Sequence, residues 1–323
     1  MRRREFIAGV GCAATWPIAA RAQQPNKIAR IGFLGATYAS RWASRVAALR
    51  TGLSDLGYVE GKNLAIEFRW AEGRYERLGE LADELVRLKV DLILTAGTPG
   101  TLAAKRATQT IPIVMATTGD AVDTGLVVSL DRPGGNITGS THFGPELWGK
   151  QLELLKEAIP RVNKVGVLVN PNNPLSVLAR PDVTGKVFGV ALEPFEARHP
   201  NEFVTAFSVM GKKSVDAVLV FDDGVFVANA EAIAELATTN RIPSSGFKEL
   251  AQAGGLIGYG VNFLELWRRS AYFVDKIFRG AKPADLPVER ATRFELVINL
   301  KTANTLGLTI PPTLFARADE VIE

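Results

Sequence analysis

Val90-Asp91-Leu92-Ile93-Leu94-Thr95-Ala96-Gly97-Thr98-Pro99-Gly100-Thr101 is the stretch that decides the fold. Residues 90–96 are apolar and β-branched, as in a strand buried on both faces. Gly97 breaks the run. Thr98 suits a helix N-cap and Pro99 the first helical position, so a helix is expected over 99–108. Another buried-type strand follows at 111–116. A strand that passes through a tight turn into a helix and on to a strand builds a parallel sheet covered by helices.

The same alternation extends both ways. Upstream, strands are predicted at 29–34 and 64–70, with helices at about 40–56, stopped by Gly57, and 75–88. Downstream, the turn-rich 131–136 leads to a strand at 137–141 and a helix at 146–159 that ends at Pro160. A second series then begins. Strands are predicted at 165–169, 187–192 and 217–221, with helices at 203–210 and 229–240. Extended segments at 242–243 and 254–259 flank a helix at about 247–253. A long helix at 263–278, a strand at 294–299 and a short helix near 302–306 close the chain. The expected fold is α/β, with two doubly wound parallel-sheet lobes and a ligand cleft between them. Lobe 1 is expected over 27–141 plus about 260–290, and lobe 2 over 142–259 plus about 291–323. Open α/β sheets bind ligands at the carboxyl ends of their strands, so the candidate site lies between the lobes.

Composition narrows the classes. The 323 residues are 47% hydrophobic and 22% charged, which excludes disordered, collagenous and coiled-coil chains. Net charge is +4, but residues 1–22 carry four arginines against one glutamate. The rest is nearly neutral, and nucleic-acid binding has no support. The arginine pair Arg3-Arg4 with Phe6-Ile7, a mildly apolar run and Ala20-Arg21-Ala22 look like a twin-arginine export signal cleaved after about Ala22. The sole cysteine, Cys12, lies inside that segment, so no disulfide, thiol nucleophile or Cys-metal site is expected beyond it.

No phosphate loop, dinucleotide-binding glycine pattern or nucleophile elbow occurs. The two histidines, His142 and His199, show no metal spacing. His142 stands beside the lobe junction, where it either faces a ligand or belongs to a hinge. Catalytic residues, metal and cofactor are therefore expected to be none. The polar residues that follow strands suit a binder instead. Gly97, Thr98 and Thr118 could hold a carboxylate through hydroxyls and backbone N–H groups at a helix start, or Thr98 could simply cap its helix. Thr37 and Tyr38 follow the first strand, with Tyr38 or Trp42 as a possible apolar wall. Asn170 opens the turn after 165–169. Asp222 or Asp223 could receive a ligand ammonium, or form a charge pair at a helix start. Tyr259 would add a second wall.

Several stretches resemble a known family, the ABC transporter substrate-binding proteins of the tryptophan/tyrosine-binding type. They are Gly57-Tyr58-Val59-Glu60-Gly61-Lys62-Asn63, Ile111-Pro112-Ile113-Val114, and Arg132-Pro133-Gly134-Gly135-Asn136-Ile137-Thr138-Gly139. Leu152-Glu153-Leu154-Leu155-Lys156-Glu157, Ala253-Gly254-Gly255-Leu256 and Ile298-Asn299-Leu300-Lys301-Thr302-Ala303 are similar too. The resemblance implies a type I periplasmic binding fold with three crossings between lobes. It implies a periplasmic, monomeric protein that closes on a small ligand and hands it to a membrane permease served by an ATPase. On that resemblance Thr98 and Thr118 would hold a carboxylate, Asp222 an ammonium, and Tyr38 and Tyr259 would form walls. An exported lyase or isomerase using Asp120 and Asp222, or a sensor subunit, are the alternatives on the same architecture.

Overall fold

The structure is a computed structural model that describes residues 28–142, 144–178 and 181–323. The export segment at 1–22 and Cys12 lie outside the described residues. The first lobe opens with β1 (Ala29–Gly35), α1 (Ala43–Asp55), β2 (Leu64–Trp70), α2 (Leu78–Arg87), β3 (Leu92–Ala96), α3 (Thr98–Ala107), β4 (Ile113–Thr117) and β5 (Ile137–Thr141). The chain then passes into α4 (Gly144–Ala158), β6 (Lys164–Val169), α5 (Leu175–Leu178), α6 (Pro181–Phe188), β7 (Ala191–Glu196), α7 (Phe203–Lys212) and β8 (Ala217–Val220). There follow α8 (Gly224–Ala228), α9 (Ala230–Thr239), β9 (Ser244–Gly246), α10 (Lys248–Gln252) and β10 (Ile257–Val261). It returns for α11 (Phe263–Phe278) and β11 (Glu289–Arg290), and ends with β12 (Phe294–Asn299), α12 (Leu300–Leu306), α13 (Pro312–Phe315) and β13 (Glu320–Ile322).

Two sheets result. The first has the order β11-β5-β4-β3-β1-β2 and is parallel at every pairing. The second has the order β13-β12-β10-β9-β8-β6-β7, with β10 and β12 antiparallel and its other pairings parallel. The chain moves between them after β5, after β10 and after β11, which makes three crossings. This is the two-lobed α/β architecture the alternation predicts.

The return of α11 completes the first lobe. It packs along α1, with Trp267, Ala271, Phe273 and Val274 buried on one side and Val46, Leu49 and Leu53 on the other. Each such fully buried large side chain contributes roughly 1.5–3 kcal/mol. An aromatic cluster locks the beginning of α1 to the sheet: Trp42 lies edge-on to Trp267 at 5.3 Å, and Phe33 lies 4.9 Å from Trp70 and 5.5 Å from Trp267. The start of α1 is therefore held rigidly at the lobe boundary.

The second lobe departs from expectation at 187–192. Val187 and Phe188 end helix α6, and the strand begins only at Ala191. The β-branched run misleads because Gly189, at φ +62°, turns the chain between helix and strand. Pro194 is tolerated inside β7 because β7 is an edge strand. The extended segments expected at 242–243 and 254–259 also begin later, as β9 and β10. Short helices α5 and α8 fill the turns after β6 and β8, where polar residues had suggested loops alone.

Candidate functional site

The carboxyl ends of β1, β3, β4 and β5 face those of β6 and β8 across a tight cavity of about 40 Å³. On the first-lobe side, Gly97 adopts φ +82° and ψ 150° as N-cap of α3, a conformation that favours glycine and sets the helix start at the cavity. Thr98 does not cap α3. Its hydroxyl shares a 3.0 Å hydrogen bond with the Thr118 hydroxyl, and both residues are buried in the cavity wall. Pro99 has no N–H, which leaves Thr98 and Gly100 to offer the first free backbone donors of α3. These neutral donors face a region of positive helix-end potential.

On the second-lobe side the two aspartates divide their roles. Asp223 is the N-cap of α8 and accepts from Val225 N at 2.9 Å. It also accepts from Asn170 Nδ2 at 3.3 Å, Asn173 Nδ2 at 3.0 Å and, from the opposite lobe, Tyr75 Oη at 2.9 Å. Its carboxylate is fully engaged. Asp222 lines the cavity instead. Its Oδ2 lies 3.4 Å from His142 Nε2. Burial pushes the Asp222 pKa up to about 7, with Arg45 pulling it back and Asp223 adding to the rise. Burial also pushes His142 down to about 4, against the opposing pull of Asp120. Near neutral pH the imidazole is thus uncharged and does not pair Asp222 as a cation. His142 reaches Thr117 Oγ1 at 3.3 Å through Nδ1.

The aromatic walls are Trp42, Tyr75 and Phe263, with Arg45 stacked on Phe263 at 4.4 Å. Leu175 reaches across from the second lobe onto Gly119. A larger, more open groove of about 520 Å³ runs outside, between α2, α3 and Asn172, and shares Tyr75 and Pro99 with the cavity.

The cavity brings together Gly97, Thr98, Thr118 and Asp222. Thr37 and Asn170 are buried but do not line it, and Asn170 positions Asp223. Tyr38 is 48% exposed on the surface. Tyr259 stacks on Phe294 at 5.8 Å within the second lobe, and its carbonyl accepts from Gln151 Nε2. Arg45, Tyr75, Asn173, Leu175 and Phe263 escaped the sequence reading. Phe263 was legible as the residue at which a long helix starts beside a crossing. Arg45 and Tyr75 carry no local signal. Among the described residues no group of three or more His, Cys, Asp or Glu is placed to hold a metal ion.

Two α/β lobes that meet over a buried cavity with a free carboxylate on one wall and hydroxyls on the other define a receptor for a small polar solute. The chain belongs to the ABC transporter substrate binding protein family, whose model matches residues 40–322. It is a solute-binding protein of that family. It is 30% identical over 260 residues to a tyrosine-binding protein of Clostridioides difficile strain R20291, covering 79% of this chain and 74% of that one. Among solved structures it is similar to a conserved domain protein from Vibrio cholerae, at 28% identity and TM-score 0.85, covering 91% of this chain and 100% of that one. It is similar to an ABC domain from Streptococcus pneumonia in complex with L-Trp, at 27% identity and TM-score 0.83, covering 91% and 99%. A ligand-free, open substrate-binding protein from Clostridium difficile, at 25% identity and the same coverage, gives a TM-score of only 0.64. The lobes here therefore stand closer to the ligand-bound arrangement. The direct hydrogen bond between Tyr75 and Asp223 across the cleft agrees with this.

Proposed function

We propose that the protein captures an aromatic α-amino acid outside the cytoplasm and delivers it, as a monomer, to a membrane permease driven by an ATPase. Asp222 carries the reading. Its carboxylate, half-buried in the cavity wall with no cationic partner in contact among the described residues, is unfavourable unless a ligand cation joins it. A ligand ammonium supplies that cation. The ligand carboxylate goes to the Thr98 and Thr118 hydroxyls and the start of α3, and its ring lies among Trp42, Tyr75 and Phe263. The relatives named for tyrosine and solved with L-Trp support an aromatic ligand.

Family members are typically extracytoplasmic, and residues 1–22 would serve as a twin-arginine signal removed after about Ala22. Lobe 1 would span 27–141 and about 260–290, lobe 2 the remainder. The protein binds without catalysing. Asp120, the partner an acid–base mechanism would need, spends its Oδ1 on its own turn, accepting from Val122 N at 3.0 Å and Asp123 N at 2.9 Å.

The test is calorimetry on protein stripped of carried-over ligand by unfolding and refolding. Aromatic amino acids should bind and be recovered unchanged, whereas the same acids without the amine should not. Equal binding of amine-free acids would remove the ammonium role of Asp222.

A further inference from the structure

Arg45 has unspent donors. It sits in the first turn of α1, which the Trp42–Trp267 contact fixes, and it is only 8% exposed. Its guanidinium lies over Phe263 at 4.4 Å and beside Trp42 at 5.6 Å, and it lines the cavity. A guanidinium carries five N–H donors. Among the described residues the ion pair of Arg45 is with Glu249 Oε1, 3.5 Å from Nη2, without a hydrogen bond, and its charge is also felt by Asp222. The ring nitrogen Nε1 of Trp42, in the same wall, is also buried without a partner. A buried unpaired indole N–H and a guanidinium with donors to spare thus stand together beside the ligand space. A buried donor such as Trp42 Nε1 is normally paired, and a ligand oxygen reaching this corner would meet both it and the Arg45 guanidinium.

We propose that Arg45 contacts the solute directly, its guanidinium donating to an oxygen at the far end of the ligand side chain. This rests on the amino-acid reading above and adds a selectivity to it. Asp222, Thr98 and Thr118 hold the ammonium and carboxylate, which every α-amino acid shares. Arg45 reads what differs: a ring that ends in an oxygen acceptor, phenol or carboxylate, over a bare hydrocarbon ring. A site built to hydrogen-bond an oxygen rejects the analogue lacking it far more strongly than an apolar slot rejects an added group.

The competing role is a latch, in which Arg45 only bridges the lobes to Glu249 or keeps Asp222 ionised. Both latch effects act equally on every amino acid, so a ratio of affinities cancels them. The experiment is titration calorimetry of tyrosine, 4-carboxyphenylalanine and phenylalanine against the wild type, Arg45→Met and Arg45→Lys. The wild type should prefer an oxygen-bearing ligand over phenylalanine by at least ~10-fold, the size of a hydrogen bond to a charged group. Whether tyrosine or the carboxy analogue leads identifies the acceptor. Arg45→Met should erase the preference while keeping phenylalanine binding, and Arg45→Lys, a point charge without the fork, should keep part of it. Equal wild-type affinities for the three would overturn the assignment even if neither variant folds. So would a preference that survives Arg45→Met, or a loss shared equally by all ligands. If none of the three binds, the amino-acid reading falls and Arg45's role falls with it.

Discussion

The two walls of the cavity solve opposite problems. The first-lobe wall offers hydroxyls that already satisfy each other, Thr98 against Thr118, around a helix start. Around these two threonines it is neutral and at rest without ligand, and its charge stands apart, on Arg45 of α1. The second-lobe wall offers Asp222, half-buried with the neutral His142 ring 3.4 Å away, one residue from Asp223, which accepts four hydrogen bonds. The contrast teaches that adjacent identical side chains can be assigned to framework and to ligand by counting partners. It also indicates that recognition of a cation is concentrated on the second-lobe wall, where the carboxylate destabilises the empty protein and is relieved by the bound cation.

The largest expected effect breaks that wall. Asp222→Asn should weaken an amino-acid ligand by ~100-fold or more, as loss of a buried charge-assisted contact implies. The same variant should raise the unfolding midpoint of the empty protein at pH 8, because it removes a carboxylate whose ionisation opposes folding. The rise from the ordinary value to about 7 corresponds to at most ~4 kcal/mol. A variant that loses both affinity and stability would contradict the division of roles.

Acidity sharpens the comparison next. In the empty protein Asp222 holds its proton up to about pH 7, and the bound ammonium requires the ionised form. Affinity should be full above pH 8 and decline below pH 7, approaching ~10-fold per unit. Stability of the empty protein should run the other way. A raised folded-state pKa means the fold binds the proton more tightly, so this contribution is present at low pH and lost as pH rises through 7. His142, pushed down to about 4, stays neutral throughout that window. Calorimetry in buffers of different ionisation heat would detect the released proton, and a flat profile from pH 5 to 8 would exclude it.

A smaller effect is expected where the walls touch. A Cβ at Gly119 would overlap the Leu175 side chain arriving from the second lobe. Gly119→Ala should hold the lobes apart and weaken binding by ~10-fold, the cost of a forced overlap. X-ray scattering with ligand should then show a larger radius than the wild type, and an unchanged radius with unchanged affinity would refute the contact.

The smallest concerns the framework aspartate. Tyr75→Phe removes one of four donors to Asp223 and the direct hydrogen bond between lobes. A loss of ~0.5–1.5 kcal/mol in closure, read as a several-fold weaker ligand, is expected while the unfolding midpoint barely moves.

How much of this the sequence discloses depends on the distance over which a feature is encoded. Strand β2 and helix α11 were read with their observed limits because apolar periodicity and a following glycine are local. Thr98, Thr118 and Asp222 were legible because a polar residue that follows a buried strand falls at its carboxyl end in any parallel sheet. The walls were not. Arg45 reaches the cavity only because α1 packs on α11, from the far end of the chain, and Tyr75 matters only through Asp223 on the other lobe. Tyr38 and Tyr259 have the right chemistry beside the right strands, yet Tyr38 points to solvent and Tyr259 joins Phe294. Orientation about a strand end is decided by packing that a single sequence does not display.

The order in which the chain visits its lobes bears on how the molecule is made. Lobe 1 lacks Trp267 and Phe273 of α11, and the β11 edge, until residue 290 has been synthesised; lobe 2 lacks β12 and β13 until residue 322. Neither half can complete its core from β1 to β10 alone. Final assembly is therefore dominated by contacts between distant parts of the chain, which form slowly. During that interval the α11-facing side of α1 is an exposed apolar surface, and it is there that a holding chaperone would have to act.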